Sequence, residues 1–282
     1  MTVTRRQVLR AAAAAGATGL GLGLYAWQWE PHWLEFVHLD LPVRHLPASL
    51  VGARLVQLSD IHVGPNVSDA YVADVFRQVT ALAPDIVAYT GDLASYEDDG
   101  FYDHVARMYA APPRGRLATV GILGNHEYGI GWSHPDVADR LTAIAEASGI
   151  HVLRNQVTEV EGLQIVGLDD LWARRFDVSA ALAAFDPARA ALALSHNPDT
   201  VDLPGWTAFR GWILSGHTHG GQVKAPFLPP PIVPVLNRRY TAGVFDLSGG
   251  RTLYISRGVG HLFQVRFNVR PEVTVFTLHR AS

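Results

Sequence analysis

Short apolar runs along this chain stop abruptly at polar residues flanked by glycine or serine. Arg54-Leu55-Val56-Gln57-Leu58 runs into Ser59-Asp60-Ile61-His62, and Asp85-Ile86-Val87-Ala88-Tyr89 into Thr90-Gly91-Asp92. Leu117 to Leu123 runs into Gly124-Asn125-His126-Glu127, Ala191 to Leu194 into Ser195-His196-Asn197, and Trp212 to Leu214 into Ser215-Gly216-His217-Thr218-His219-Gly220. Runs of this length, bounded by turn residues, predict buried strands. Between the first two, Ser68-Asp69 precede Tyr71, Val72, Val75, Phe76, Val79 and Leu82, which share one face of a helix that Pro84 ends. Tyr102 to Tyr109 and Pro135 to Ala147 predict two more helices, stopped by Pro112-Pro113 and Gly149. This rhythm predicts an α/β layered fold with largely parallel strands. Further strands are expected at 33–43 (an edge), 150–153, 156–160, 163–168, 240–247, 252–256 and 272–278, with a short helix near 179–184. No long linker divides the pattern, so 31–282 is expected to form one domain.

Residues 1–30 follow a different pattern. Thr4-Arg5-Arg6-Gln7-Val8-Leu9-Arg10 is followed by an uncharged Ala- and Gly-rich run from Ala11 to Trp27 that has no polar face. A basic start and an apolar run make an export signal, and the paired arginines resemble a twin-arginine (Tat) signal. The Tat machinery is therefore an expected partner, and an extracytoplasmic location is expected. The run approaches the length that spans a bilayer, and none of its small residues makes a convincing small-x-small cleavage site just before Glu30-Pro31. A removed signal and a retained membrane anchor both remain open.

Composition narrows the chemistry. The chain has 282 residues, 48% of them hydrophobic and 17% charged, as in an ordinary globular protein. Its net charge of −3 lacks the basic excess of a nucleic-acid-binding surface. The absence of cysteine excludes disulfides and thiolate metal sites, which leaves metal chemistry to carboxylates and the 13 histidines.

In α/β sheets the carboxyl ends of the strands share one edge, where ligands bind. Asp60, His62, Asp92, Asn125, His126, His196, His217 and His219 are therefore expected to converge. Alone, each has a plainer role: Asp60 or Asp92 as a cap or turn residue, Asn125 as tolerant of a left-handed backbone, His196 as a turn residue before Asn-Pro. Recurrence of the pattern on successive strand ends is what argues against coincidence. Oxygen and imidazole donors without thiolates suit Mn, Fe or Zn. The implied chemistry is hydrolysis at two cations about 3.5–4 Å apart, bridged by one carboxylate, which polarise a phosphoryl oxygen and hold a hydroxide for in-line attack. On spacing alone, His217 and His219 read as a pair that a loop brings onto one metal.

Asp60-x-His62, Gly91-Asp92, Gly124-Asn125-His126-Glu127, His196 and Gly216-His217-x-His219 together resemble the five motifs of the calcineurin-like metallophosphoesterases, over about Arg54 to Leu278. The extended forms Ser59-Asp60-Ile61-His62, Gly216 to Val223 and Ser256-Arg257-Gly258-Val259-Gly260 look most like the YkuE/YaeI branch of bacterial, membrane-associated or exported phosphodiesterases. The resemblance implies a four-layer αββα sandwich built on two mixed β-sheets. It implies that Asp60, His62, Asp92 and His219 bind the first metal and that Asp92 bridges to a second, held also by Asn125, His196 and His217. His126 would bind no metal and would instead stabilise the transition state or protonate the leaving oxygen. The implied substrate is a phosphodiester, with a nucleotide-linked lipid pyrophosphate (UDP-diacylglucosamine-like) as the enzymatic alternative and a non-catalytic membrane scaffold as the alternative from another class.

Other residues are weighed less. Asp169-Asp170 reads as a loop pair near the site rim, and Glu127 as pointing away from its neighbour His126. His104, His134, His151 and His279 fall on expected surfaces or core positions. His261, Arg238 and Arg239 are substrate-binding candidates, the arginines as a phosphate clamp or simply a solvated pair. The proline-broken apolar segment Ala225 to Leu236 is neither helix nor central strand. It reads as a buried crossover or as an exposed lip touching a membrane or an acyl chain, which would make the substrate a lipid or lipid-linked phosphoester.

Overall fold

The apolar runs pair into two sheets, and residues 4–96, 98 and 100–281 are described in the computed structural model. In chain order the strands are β1 (Glu35–Val43), β2 (Arg54–Leu58), β3 (Ile86–Thr90), β4 (Ala118–Ile122), β5 (His151–Val152), β6 (Gln156–Val160), β7 (Leu163–Gly167), β8 (Ala190–Leu194), β9 (Gly211–Ser215), β10 (Gly243–Leu247), β11 (Arg251–Ile255) and β12 (Glu272–Arg280). One six-stranded sheet has the order β1-β12-β2-β3-β4-β5 and the other β10-β11-β9-β8-β7-β6. Within the first, β2, β3, β4 and β5 run parallel; within the second, β7, β8, β9 and β11 do. The antiparallel pairs β12–β2, β6–β7 and β10–β11 make both sheets mixed.

Side chains alternate across each strand and so sort into separate layers. Val56, Leu58, Val87 and Tyr89 meet helices α2 (Asp69–Ala81), α3 (Phe101–Met108) and α4 (Pro135–Ala147) through Val75, Val79, Val105 and Leu141. Their neighbours Leu55, Ile86 and Ala88 face Ile165, Leu192, Leu194 and Leu214 of the second sheet, with Phe276 of β12 between them. On the far face, Val166, Ala193 and Ile213 pack against α5 (Val178–Ala181), Trp206 and Phe209. The result is the α/β four-layer sandwich, with a thin outer layer on the second sheet made of α5 and single 3₁₀ turns.

One polar residue crosses the seam between the sheets. Gln57 of β2 is fully buried, and its amide donates to Ser215 O of β9 and to Thr90 Oγ1, both at 2.9 Å. The ends of β2 and β9 are thereby tied at the edge where their motifs emerge.

The N-terminal helix α1 (Arg5–Leu24) begins at a capping box made by Thr4 and Gln7 and buries no residue. The chain then tightens into a π-helical turn (Tyr25–Trp29) and a 3₁₀ turn (Glu30–His32), in which Ala26, Glu30 and Pro31 are buried.

Phe276 is fully buried between the sheets, edge-on to Tyr254 at 5.2 Å between ring centroids. Phe276→Ala is expected to destabilise the protein by about 3–5 kcal/mol through lost transfer energy and a residual cavity, measured as a lower urea midpoint at unchanged m-value.

Candidate metal centre

The motifs leave their strands through backbone turns that ordinary side chains avoid. Asp60 (φ 52°), His62 (53°), Asp92 (52°), His217 (71°) and His219 (50°) all lie in the left-handed region. Each such residue costs on the order of 1–2 kcal/mol, and strain concentrated this way is typical of functional sites. Crossed backbone hydrogen bonds hold the turns: Asp60 N to Gly91 O and His62 N to Asp92 O, each 3.0 Å, and Gly216 N to His196 O, also 3.0 Å. Two glycines permit the close approach. A Cβ on Gly124 would meet the Asp92 carboxylate and the His196 ring, and one on Gly216 the Ser59 hydroxyl and the Asp60 carboxylate.

The side chains then converge as two triads, joined by a third group of His62, Asp92 and His126. Asp60, His62 and His219 form one, with His62 Nε2 3.1 Å from His219 Nε2 and His219 Nε2 3.4 Å from Asp60 Oδ1. Asp92, His196 and His217 form the other, with His196 Nε2 3.1 Å from Asp92 Oδ2 and 3.2 Å from His217 Nδ1. Asp92 Oδ2 is also 3.6 Å from His62 Nε2, so one carboxylate stands between the triads. All six residues are buried. Asn125 is buried beside them, and its Oδ1 has no hydrogen-bond partner.

Each imidazole is tied outward by one nitrogen and faces inward with the other. His62 Nδ1 bonds Ser95 Oγ (2.8 Å), His196 Nδ1 the Thr90 carbonyl (2.8 Å), and His217 Nε2 the Pro234 carbonyl (2.9 Å). His219 Nδ1 lies 3.5 Å from the guanidinium of the fully buried Arg266. The oxygen partners of His62, His196 and His217 fix the tautomer and ring orientation that a metal-binding histidine needs; the guanidinium beside His219 can only donate. Burial pushes His62 down to about 3. Burial and the neighbouring His196 do the same to His217, also to about 3, and burial and His62 hold His219 well below the imidazole range. Burial opposes the charge of His196, but Asp92 overrides it and raises that ring well above the usual value. Burial likewise opposes ionisation of Asp92, and His196, His126 and His62 overcome it, holding the carboxyl well below its usual range. Asp60 is pushed up to about 6 by burial, although His196 and the Ser59 hydroxyl pull it down. The neutral rings of His62, His217 and His219, the carboxylates and an unpartnered amide oxygen, joined by His196 once it sheds its proton, are the donor set a hard or borderline divalent cation takes, and the residues present fit one.

Glu127 turns away from His126, as the sequence implied, but with a purpose the sequence did not disclose. Its fully buried carboxylate accepts from Asp92 N (3.0 Å), Ala94 N (3.0 Å) and Gly124 N (2.7 Å), so it braces two motif turns at once. Burial and the Asp92 charge push its carboxyl up to about 8. The Asp169-Asp170 pair is buried, not at an open rim. Asp169 joins Tyr128 and Arg154, while Asp170 accepts from Ala173 N and leaves Oδ2 without a partner. Burial pushes Asp170 up to about 6, against the pull of His196.

His126 sits at the edge of the cluster. Its backbone N donates to Asp92 Oδ1 (3.0 Å), and its half-buried ring stands edge-on to His62 at 4.8 Å. The ring of Trp172 meets His217 edge-on at 4.3 Å and packs on Trp132 at 4.5 Å. These tryptophans, with Arg174 and Arg175, line an open cavity of about 700 Å³. Nothing in the sequence pattern singled them out. Arg238 and Arg239 are exposed, Arg238 bonding the Pro231 carbonyl (2.7 Å) and Arg239 lying over the Tyr240 ring. His261 is buried, with Nε2 2.7 Å from the Asn66 carbonyl.

Comparison with known proteins agrees with this geometry. The family model described as calcineurin-like phosphoesterase matches residues 53–221. Metallophosphoesterase YkuE of Bacillus subtilis is 32% identical, covering 88% of this chain and 87% of its own length. Phosphodiesterase YaeI of Escherichia coli is 31% identical (88% and 90%). UDP-2,3-diacylglucosamine pyrophosphatase LpxG of Chlamydia muridarum is 28% identical (87% and 89%).

Gly216→Ala is expected to cost about 1–3 kcal/mol by overpacking and to lower bound metal, read by calorimetry and by elemental analysis of the purified protein. Because His196, raised well above the usual imidazole value, must shed its proton to bind, and Asp60 ionises only above about 6, metal affinity is expected to fall with pH already above the usual imidazole range and more steeply as pH drops through 6. The expected slope is about tenfold per pH unit for each displaced proton, measured by titration with Mn²⁺ or Zn²⁺.

Proposed function

The chain belongs to the calcineurin-like phosphoesterase family, and on that premise we propose that it is an exported, two-metal phosphodiesterase acting on a lipid or lipid-linked phosphodiester. That it is a metal-dependent phosphoester hydrolase follows from the family itself. The observation that carries the finer reading is the single carboxylate of Asp92 between two triads, with the half-buried ring of His126 at their edge.

Asp60, His62, Asp92 and His219 would hold one cation, and Asp92, Asn125, His196 and His217 the other, drawn from Mn, Fe or Zn. Bound cations supply Lewis acidity toward a phosphoryl oxygen and an activated water. The chain's own groups do the rest. Glu127 and Gly124 hold the Asp92 turn rigid. Among the described residues no hydrogen bond ties the ring of His126, which leaves it able to meet the phosphoryl group and donate a proton to the departing oxygen. The cavity beside His217 gives the rest of the substrate room, and Arg174 and Arg175 line it. Beyond the proline-rich segment, the exposed Arg238 and Arg239 are further cations available to an anionic headgroup. His261, being buried, is assigned a supporting place near His62 and not a substrate contact.

Two observations support a lipid. The segment Ala225 to Leu236 exposes Phe227, Leu228, Ile232 and Leu236, and the same segment supplies the Pro234 carbonyl that fixes His217. The chlamydial relatives, whose name gives a diacylated nucleotide sugar as substrate, favour cleavage of a pyrophosphate bond as the second reading. Product analysis separates the two: a diesterase leaves nucleotide diphosphates intact, and a pyrophosphatase releases the nucleoside monophosphate. A complete donor set with His126 in place counts against a non-catalytic scaffold.

His126→Ala is expected to lower kcat on a chromogenic diester with Mn²⁺ by about 10²–10⁴-fold at unchanged metal content. Activity within a factor of three of the parent would remove His126 from the mechanism.

A further inference from the structure

We propose that the N-terminal helix stays attached to the mature protein and that the turn behind it, with two loops flanking the metal centre, forms one bilayer-docking face that seats the centre at the surface of a phospholipid membrane. This goes beyond the substrate reading and does not depend on it.

The first observation is the length and chemistry of α1. Twenty exposed residues, without a buried one, make a rod of about 30 Å, the thickness of a hydrocarbon core. Arg5, Arg6 and Arg10 mark its first end, and Tyr25, Trp27, Trp29 and Trp33 follow its second. Basic residues on the cytoplasmic side and tryptophans at headgroup level are how a spanning helix is oriented and stopped. The three tryptophans are 50%, 69% and 48% exposed, although they lie where the chain packs onto the folded body.

The second observation is how that packing is made. Ala26 O accepts from Arg266 N (2.9 Å), Trp27 O from the Gln264 amide (3.2 Å), and the buried Glu30 carboxylate from Val269 N (2.5 Å); the Tyr25 ring meets Phe267 edge-on. A cleaved chain starting after His32 would leave these partners open and strip cover from Arg266. That guanidinium is fully buried and donates to the carbonyls of Arg257, Gly258 and Gly260, beside Asp60 and His219. The junction therefore belongs to the support of the metal centre.

The third observation fixes what else lies at that level. The 261–268 loop is bonded to the 222–224 segment through Gln222 with Leu262, Phe263 and Val265, and through Lys224 N to Phe267 O. From it rises the proline-rich lip, where Phe227 is wholly exposed on a left-handed backbone (φ 65°) and Ile232 and Leu236 are 77% and 91% exposed. Phe263, on the other loop, is 73% exposed. Neither 222–242 nor 256–270 contains an acidic residue, and both carry lysine or arginine. Apolar tips among cations, held rigidly to a helix end flanked by tryptophans, match an anionic bilayer surface.

The test uses the cysteine-free full chain, in which single cysteines label cleanly. F227C, I232C, L236C and F263C, with V51C on the opposite strand-end side as the control, are labelled with an environment-sensitive fluorophore and reconstituted into phosphatidylcholine/phosphatidylglycerol vesicles. The expected result is a blue shift and at least twofold quenching by brominated lipid at the four loop positions and none at V51C. The intact mass of protein purified from membranes is expected to include α1. Loop labels as solvated as V51C, or a mass showing cleavage between Arg5 and Trp33, would overturn the proposal. Neither readout needs turnover, so a failure here is separable from a failure of the phosphodiesterase reading.

Discussion

Gathering two aspartates and four imidazoles in a buried seam is the constraint on which the rest of this protein depends. Isolated, each charge would be expelled or neutralised by desolvation. Here Asp92 is held ionised by the rings around it, and most of those rings are held neutral by burial. The arrangement is stable only if the groups stay where they are, and the surroundings enforce this. Glu127 fixes two motif turns from behind, Ser59 and the His217 amide hold Asp60, and glycines leave no space for a shift. Backbone strain at five of the ligand positions is the local cost. It is offset by the sandwich beneath, whose two faces of aliphatic side chains bury most of the apolar surface.

Much of this was legible in the sequence, for a simple reason. A strand buried on both faces has to be apolar, so the first polar residues after it mark its end, and parallel strands put their ends on one edge. The recurrence of Asp, Asn and His at those ends therefore announced the cluster. The edge strand β1 and helix α4 agree with what the pattern implied. What pattern could not reveal were contacts between residues far apart in sequence with no repeating signature. Glu127 was expected to point away from His126, and does, but its hold on the amides of Asp92, Ala94 and Gly124 had no signature in the sequence. Arg266 stands in a loop with no repeating pattern, yet it is wholly buried. Trp172 lies in a stretch with no periodicity, and only the fold brings it against His217.

The proline-broken segment shows how one loop can serve two ends. Prolines deny it a regular element, so its backbone carbonyls remain available. That of Pro234 is used to orient a metal-facing histidine, while the side chains a few residues earlier point into solvent. Ile232 and Leu236, on either side of Pro234, are themselves exposed, so chemistry at the centre and contact with the surroundings are set by neighbouring residues of one stiff segment.

The bond from Gln57 to Ser215 carries a consequence of a different kind. Each triad takes ligands from both sheets: Asp60, His62 and Asp92 come from the first, His196, His217 and His219 from the second. The width of each triad is therefore a dimension of the sandwich, set by how far apart its sheets rest, and not a property of any loop. Distant substitutions in the aliphatic layer, which touch none of these six residues, become a means of tuning the spacing within each triad. Gln57 is the stay that limits how far such tuning can run before the two halves of the centre part.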